Sequence, residues 1–461
     1  MHLANLTTAG IKRIFVLILS VSIYSFASAQ ENSPYSRYGI GDIVPNQNVL
    51  NRGMGGISAG YTNLNYVDFK YITPGILFQS INLVNPASLA SLNNTVFDVA
   101  GEVDIRTLKS TTSPAKYTAT NTLISYLQLG FPLASEKMRK KGIYWGASFG
   151  LRPISRINYK IEKNERLSGI DSLNTMYEGS GGLNQVNIGT GLKIKNFSIG
   201  LNTGYSFGSK NYSTKLNFIN DTVLYYKSNS EAKSRFGGFF LDLGMQYMIK
   251  LKGGVLNLGA FGNLQQKLKA KRDYIDETFA YDGNGGTVTI DTVNYKKEEN
   301  GTVKVPGTYG VGFTYTNYHW LWGVDFETSN WNAYRYYGQQ DAVQNSWMIR
   351  AGVQYYPLKQ TSTASAKYWS YVKYRLGFYY GADYVKLADN RPNYAVTGGA
   401  GFPLADMKRL GGGRGEYVLL NTSFEFGARG TKQSLSVREN ITRINIGISM
   451  NARWFMKRSY D

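Results

Sequence analysis

Residues 444–455 read Ile-Asn-Ile-Gly-Ile-Ser-Met-Asn-Ala-Arg-Trp-Phe. Ile444, Ile446, Ile448, Met450, Ala452 and Trp454 are apolar, while Asn445, Gly447, Ser449, Asn451 and Arg453 between them are small or polar. A period of two places the sets on opposite faces of a β-strand. The length approaches the roughly 9–11 residues that a tilted strand needs to cross a bilayer, and Trp454-Phe455 stands where a membrane–water interface would lie. A strand of a soluble sandwich would read the same way, so recurrence of the pattern decides.

It recurs through most of the chain. Parity and turn residues predict strands near 95–109, 118–131, 142–153, 183–195, 196–211, 234–250, 254–268, 306–317, 318–329, 345–357, 370–387, 393–402, 414–430 and 439–455. In the fifth, Phe197, Ile199, Leu201, Thr203, Tyr205 and Phe207 oppose Ser198, Gly200, Asn202, Gly204 and Ser206. The sixth sets Phe239, Leu241, Leu243, Met245, Tyr247 and Ile249 against Asp242, Gly244, Gln246 and Lys250. In the eleventh, Val372, Tyr374, Leu376, Phe378, Tyr380 and Tyr384 oppose Lys373, Arg375, Gly377 and Asp383. About fourteen is an even number, as bacterial outer-membrane barrels have.

The connections alternate too. Stretches 154–182, 208–233 and 269–305 read as long loops rich in Asn, Asp, Thr, Tyr and Lys, whereas Lys195-Asn196, Lys252-Gly253 and Asn317-Tyr318 are tight turns. Long loops on one side and short turns on the other fit an outer-membrane barrel with both ends in the periplasm. Gly130-Phe131-Pro132-Leu133-Ala134, Tyr356-Pro357-Leu358-Lys359 and Gly401-Phe402-Pro403-Leu404-Ala405 all close even-numbered strands, so one punctuation marks one rim.

Arg or Lys facing the middle of a bilayer costs about 2–4 kcal/mol, so the charged, glycine-bearing face must be the lumen. Asp98, Glu102, Asp104, Asp242, Asp325, Glu327 and Glu425 point there, with Arg106, Lys193, Arg350, Lys373, Arg375 and Arg453. Asp325 and Glu327 are read as lumen partners of cations such as Arg350. An acid/base pair is the alternative, but no nucleophile or apolar cleft accompanies them.

At the N-terminus, Lys12-Arg13 precede an uncharged apolar run from Ile14 to Phe26, then Ala27-Ser28-Ala29. This is a signal peptide over residues 1–29, excluded from the fold. No other run is apolar enough for a membrane helix. The formal charge of +20 becomes +18 once Lys12 and Arg13 leave (20 − 2). Basic residues are scattered and the chain is exported, which argues against nucleic acid and for an anionic surface such as outer-membrane lipid and lipopolysaccharide. There is no cysteine, so no disulfide framework or thiolate metal site. Neither a cofactor nor a catalytic set is indicated. His319 falls in a predicted turn, and the Gly-rich runs 53–56 and 411–413 lack the Gly-Lys-Ser/Thr of a phosphate loop. Trp320, Trp322, Trp331, Trp347, Trp369 and Trp454 fit interfacial girdles, with sugar stacking the alternative for those outside.

Residues 30–94 show no alternation. They carry Arg37, Asp42, Arg52 and Asp68, which could pair with lumen charges, so they are read as a plug or hatch, with a separate periplasmic domain as the alternative. Gly53, Gly55 and Gly56 would let its backbone pack closely. Asn85-Pro86-Ala87 would make a rigid corner where plug meets wall. The barrel occupies 95–461.

Four features resemble the FadL family of outer-membrane hydrophobic-compound transporters, in its Bacteroidetes branch. They are Arg52-Gly53-Met54-Gly55-Gly56, Asn85-Pro86-Ala87, Pro306-Gly307-Thr308 before Gly310 and Gly312, and Asp325-Phe326 followed by Trp331. Residues 62–80 read as an insertion, and Met456–Asp461 as an extension past the terminal aromatic. The resemblance implies a fourteen-stranded barrel in a Gram-negative outer membrane, with an N-terminal hatch, passing small hydrophobic or amphipathic molecules by gated diffusion. PorV-like barrels are similar and dock to a secretion complex, so a non-transporting subunit of an outer-membrane secretion or assembly complex is the alternative.

Overall fold

The computed structural model describes residues 33–63, 79–110, 116–167, 171–219, 226–282, 286–358, 367–386, 391–404, 417–431 and 437–452. Its ring of strands, in chain order, is β1 (Thr95–Lys109), β2 (Lys116–Pro132), β3 (Ile143–Leu167), β4 (Asp171–Ile194), β5 (Phe197–Phe218), β6 (Lys227–Leu251) and β7 (Gly254–Asn263). There follow β8 (Thr308–Thr316), β9 (Trp320–Ser329), β10 (Ser346–Tyr355), β11 (Lys373–Ala382), β12 (Pro392–Pro403), β13 (Tyr417–Arg429) and β14 (Arg438–Ala452). Each pairs antiparallel with the next, and β14 returns to β1 from Arg438 opposite Lys109 to Ala452 opposite Thr95. The result is a closed fourteen-stranded antiparallel transmembrane barrel.

The parity read from sequence sorts the faces. In β14, Ile446 and Met450 are exposed while Arg443, Asn445, Ser449 and Asn451 are buried; Arg453, Trp454 and Phe455 lie outside the described residues. Phe197, Ile199, Leu201, Tyr205 and Phe207 face outward from β5, and Phe239, Leu243, Met245 and Tyr247 from β6. Water would penalise such a belt and hydrocarbon does not. Just outside both ends of β11 the alternation lapses: Val372 before it and Tyr384 after it are buried rather than outward.

The stretches expected to be long loops are largely strand. β3 runs on to Leu167, β4 starts at Asp171, β5 reaches Phe218 and β6 begins at Lys227. Residues 266–305 form a hairpin of two strands, Gln266–Tyr281 and Thr287–Val305. Above the hydrocarbon both faces meet water, so alternation fades although the Thr and Tyr content still favours strand. At Leu264-Gln265 and Pro306-Gly307 the ladder steps: β6 pairs with β7 below and with Gln266–Tyr281 above. The short turns fall where expected, at Lys195-Asn196, Lys252-Gly253 and 317–319.

The wall is interrupted once along β2. Its ladder with β3 covers only Leu127–Pro132 against Gly146–Leu151, so β2 from Lys116 to Tyr126 has no strand partner on that side among the described residues. Opposite this slit the freed edge of β3 receives the N-terminal segment instead. Asp42-Ile43 pair with Arg156 and Ser155 across a break in register at Pro153/Ser155. Val44 N–H donates to Ile154 O at 2.9 Å, and Ser155 Oγ to Ile40 O at 2.7 Å.

Candidate functional site in the barrel lumen

The described part of residues 33–94 lies against lumen-facing side chains, held by short local elements. Asn48 caps the turn Val49–Arg52 by accepting from Asn51 N–H at 2.8 Å. That helical turn ends at Gly53, and Gly55 follows with φ +68, where a side chain would be strained. Gly55 N–H donates to Thr397 Oγ1 of β12 at 2.8 Å. The wall makes room in turn: a Cβ on Gly352 or Gly377 would sit 2.2 Å from Met54 O or 2.3 Å from Gly55 N. The glycines of the lumen face therefore mark where the inner chain's backbone touches the strands.

Asn85 caps the 3-10 turn Pro86–Ser91, its Oδ1 accepting from Ala87 N–H at 3.1 Å. Its Nδ2 donates to Ala59 O at 2.8 Å, Ala260 O at 3.2 Å and Met245 O at 3.3 Å. One fully buried amide thus ties two parts of the inner segment to β6 and β7. Gly244 leaves the space, since a Cβ there would meet Asn85 Oδ1 at 2.1 Å.

Charge organises the centre. Arg52, buried on the inner segment, bonds Glu102 of β1 through Nη1 and Glu425 of β13 through Nε at 2.5 Å. Arg443 of β14 reaches the same carboxylates at 3.8 and 3.5 Å and Asp104 at 3.4 Å. Asp42 lies between Arg106 and Arg429, the latter at 2.6 Å. Arg106 also bonds Asp104 at 2.6 Å, and Arg391 joins Asp383 at 3.3 Å and Glu439 at 3.2 Å. Glu439 accepts from Ser33 Oγ, and Arg391 lies 3.4 Å over the Tyr35 ring. The connected set holds six carboxylates and five guanidinium groups, so nearly every charge within it is neutralised by a neighbour, as burial requires. Burial alone would raise the Asp42 carboxyl, but Arg106 and Arg429 outweigh it and hold it well below the ordinary range. Burial likewise works against the Arg52 cation, and Glu102 and Glu425 more than compensate, pushing its pKa up.

Opening from this network toward the outer ends of the strands is a cavity of about 210 Å³. Ile154, Leu183, Trp331, Met348 and Tyr384 line it, with Arg350 and Glu327, and Arg52, Glu425, Arg429 and Arg443 of the network also reach it.

The sequence matches the BamG family over residues 10–461. The chain belongs to the BamG family. In fold, this BamG-family barrel is similar to solved structures of hydrophobic-compound channels. The Pseudomonas putida toluene transporter TodX covers 90% of this chain and 100% of its own at 14% identity and TM-score 0.54. A Pseudomonas aeruginosa FadL homologue covers 90% and 100% at 12% identity and TM-score 0.53. The CymD monoaromatic hydrocarbon channel covers 90% and 99% at 12% identity and TM-score 0.50. Among curated proteins none matches this sequence. The likeness to FadL-type barrels read from the motifs thus holds for the fold.

In this BamG-family chain the residues singled out from sequence divide as follows. Arg52 and Glu425 meet directly, and Glu327 lies 3.7 Å from Arg350. Asp325, opposite Arg350 in register, instead accepts the backbone N–H groups of Ser58 and Ala59, the latter at 2.8 Å. Arg375 finds neutral partners, Gln354 at 2.9 Å and Asn421 at 3.0 Å, and Lys373 lies over the Tyr356 ring. Trp331 corrects the girdle expectation: it is 7% exposed and stacks on Tyr384 with centroids 4.4 Å apart, inside the mouth. Trp320, Trp322, Trp347 and Trp369 are exposed. His319 Nδ1 lies 2.7 Å from Tyr356 O in a rim turn. Sequence reasoning missed Arg391, Arg429, Glu439 and Arg443 as site residues. Glu439 and Arg443 share the polar parity of Asn445 and Gly447, which could have found them.

Proposed function

We propose that the protein is an outer-membrane channel of a Gram-negative bacterium, admitting small hydrophobic or amphipathic molecules by gated passive diffusion. Residues 30–94 serve as its hatch. The observation that carries the reading is the slit between β2 and β3, where, among the described residues, the freed edge of β3 is paired by Asp42-Ile43 beside the outer cavity. A molecule in the cavity would pass inward or sideways once that short pairing and the Asp42 ion pairs part, while Arg52, held by Glu102 and Glu425, keeps the rest of the hatch seated. Gating then needs no cofactor and no chemistry. The test is uptake of an apolar fluorescent probe by proteoliposomes. Deleting residues 30–60 raises permeability if the hatch seals the lumen, and unchanged conductance and uptake would remove the hatch.

A second reading, a non-transporting subunit of an outer-membrane assembly or secretion complex, is hinted at by the family match and is compatible with the tightly neutralised network inside the barrel. It predicts co-purification with other outer-membrane subunits and no lipid in the lumen. Native mass spectrometry of the detergent-extracted protein separates the two by showing bound lipid or bound partner.

A further inference from the structure

The connected ion network sits at one junction of the wall. Glu102, Asp104 and Arg106 stand on β1, Glu439 and Arg443 on β14, and Glu425 and Arg429 on β13. Of its wall members only Asp383 and Arg391 come from elsewhere. The three strands are neighbours, and the seam between β14 and β1 joins the end of the ring to its beginning.

Left to the wall, this seam crowds like charges together. Glu102, Asp104 and Glu425 converge on the one guanidinium of Arg443, at 3.8, 3.4 and 3.5 Å. Among the described residues only Asp104 has a second cation of the wall in ion-pair contact, Arg106. Arg106 and Arg429, from strands on either side of β14, in turn meet the two oxygens of a single carboxylate, that of Asp42. The inner segment thus supplies the missing sign in each place. Arg52 spans from Glu102 on β1 to Glu425 on β13, and Asp42 from Arg106 on β1 to Arg429 on β13, so each reaches across β14. Among the described residues every ion pair between the inner segment and the wall involves one of these two side chains. Neutral contacts reinforce the same place. Gln79 and Asn451 of β14 exchange two hydrogen bonds at 3.2 Å, and Asn94, next to β1, donates to Tyr417 of β13 at 2.8 Å.

Chain order gives this arrangement a use. β14 must find β1 across nearly the whole length of the barrel sequence, and closing so long a loop is costly in chain entropy. The inner segment is continuous with β1 and folds back on it through Arg52–Glu102 and Asp42–Arg106. Arriving β13 then meets a cation placed for Glu425 and an anion placed for Arg429, with β14 held between. We propose a further function for residues 33–63: they are an assembly template that closes the barrel, offsetting like charge at the seam so that the last strands can pair with the first. This goes beyond the transport reading and is independent of whether the lumen conducts.

The test follows ring closure in the full-length protein as it refolds from urea into detergent micelles. The chain lacks cysteine, so an introduced pair reports each junction. Val103→Cys with Ile444→Cys face each other across the seam, and Leu201→Cys with Leu243→Cys across β5 and β6. Arg52→Gln is expected to slow disulfide formation at the seam at least tenfold and to leave that between β5 and β6 unchanged. Adding Glu102→Gln and Glu425→Gln to Arg52→Gln removes the crowding and restores the seam rate. Asn257→Ala, which deletes a 2.6 Å contact of the inner segment with β7 across the lumen, changes neither rate. Equal slowing at both junctions, slowing at neither, slowing that the neutral triple variant does not reverse, or an equal effect of Asn257→Ala at the seam overturns the template.

Discussion

Arg52 is where single side chains matter most. It stands between Glu102 and Glu425 with almost no solvent, so replacing it leaves two carboxylates to Arg443 alone. Removing one partner of a buried ion pair costs about 3–5 kcal/mol. Arg52→Gln should therefore lower the thermal unfolding midpoint in detergent markedly, whereas Lys163→Gln, at an exposed pair with Glu165, should leave it unchanged. Asp42 gives the pH dependence. Its carboxyl is depressed in the folded chain, so its contribution is fully present above the unfolded value near 4 and disappears only as pH falls through the depressed one. The midpoint difference between wild type and Asp42→Asn should stay constant from pH 8 to 5 and shrink only in stronger acid. A difference that closed by pH 5 would contradict the Arg106–Asp42–Arg429 arrangement.

At the scale of elements, the decisive pairing is two residues long. Ile43 lies directly opposite Ser155, and facing Cβ atoms in antiparallel strands are about 4.5–5.5 Å apart, close enough for small shifts to admit a disulfide. The chain has no cysteine of its own, so Ile43→Cys with Ser155→Cys makes a clean lock. Oxidation should stop uptake through the slit and reductant should restore it; uptake indifferent to reductant would place the route elsewhere. The strands were largely legible beforehand, β1 and β9 nearly residue for residue, because a wall between lipid and lumen imprints period two. The upper strands were not. Water on both sides of 154–182 and 266–305 erases that imprint, and their polar composition imitates loop.

For the whole molecule, the exposed apolar surface divides into a belt and a tip, and the two should respond oppositely to charge. Phe239 is 79% exposed within the belt and Val293 72% exposed on the hairpin. Leu243→Arg, midway along the outward run from Phe239 to Tyr247, should cost about 2–4 kcal/mol of barrel stability in a bilayer, while Val293→Arg, standing in water, should cost almost nothing. Equal costs would mean that the belt does not face hydrocarbon.

Alternating side chains along each strand determined the barrel, its strand count, its lipid-facing side and the set of charges turned inward, because parity is local and survives without knowledge of the partners. Which inward charges meet was decided only by tertiary structure. Arg52 and Glu425 are 373 positions apart, and Asp42 and Arg429 are 387. Closure of the ring brings them together, and nothing in the chain near either member records the other. The same holds for Asp325, which a strand neighbour suggested for Arg350 and the inner backbone claimed instead.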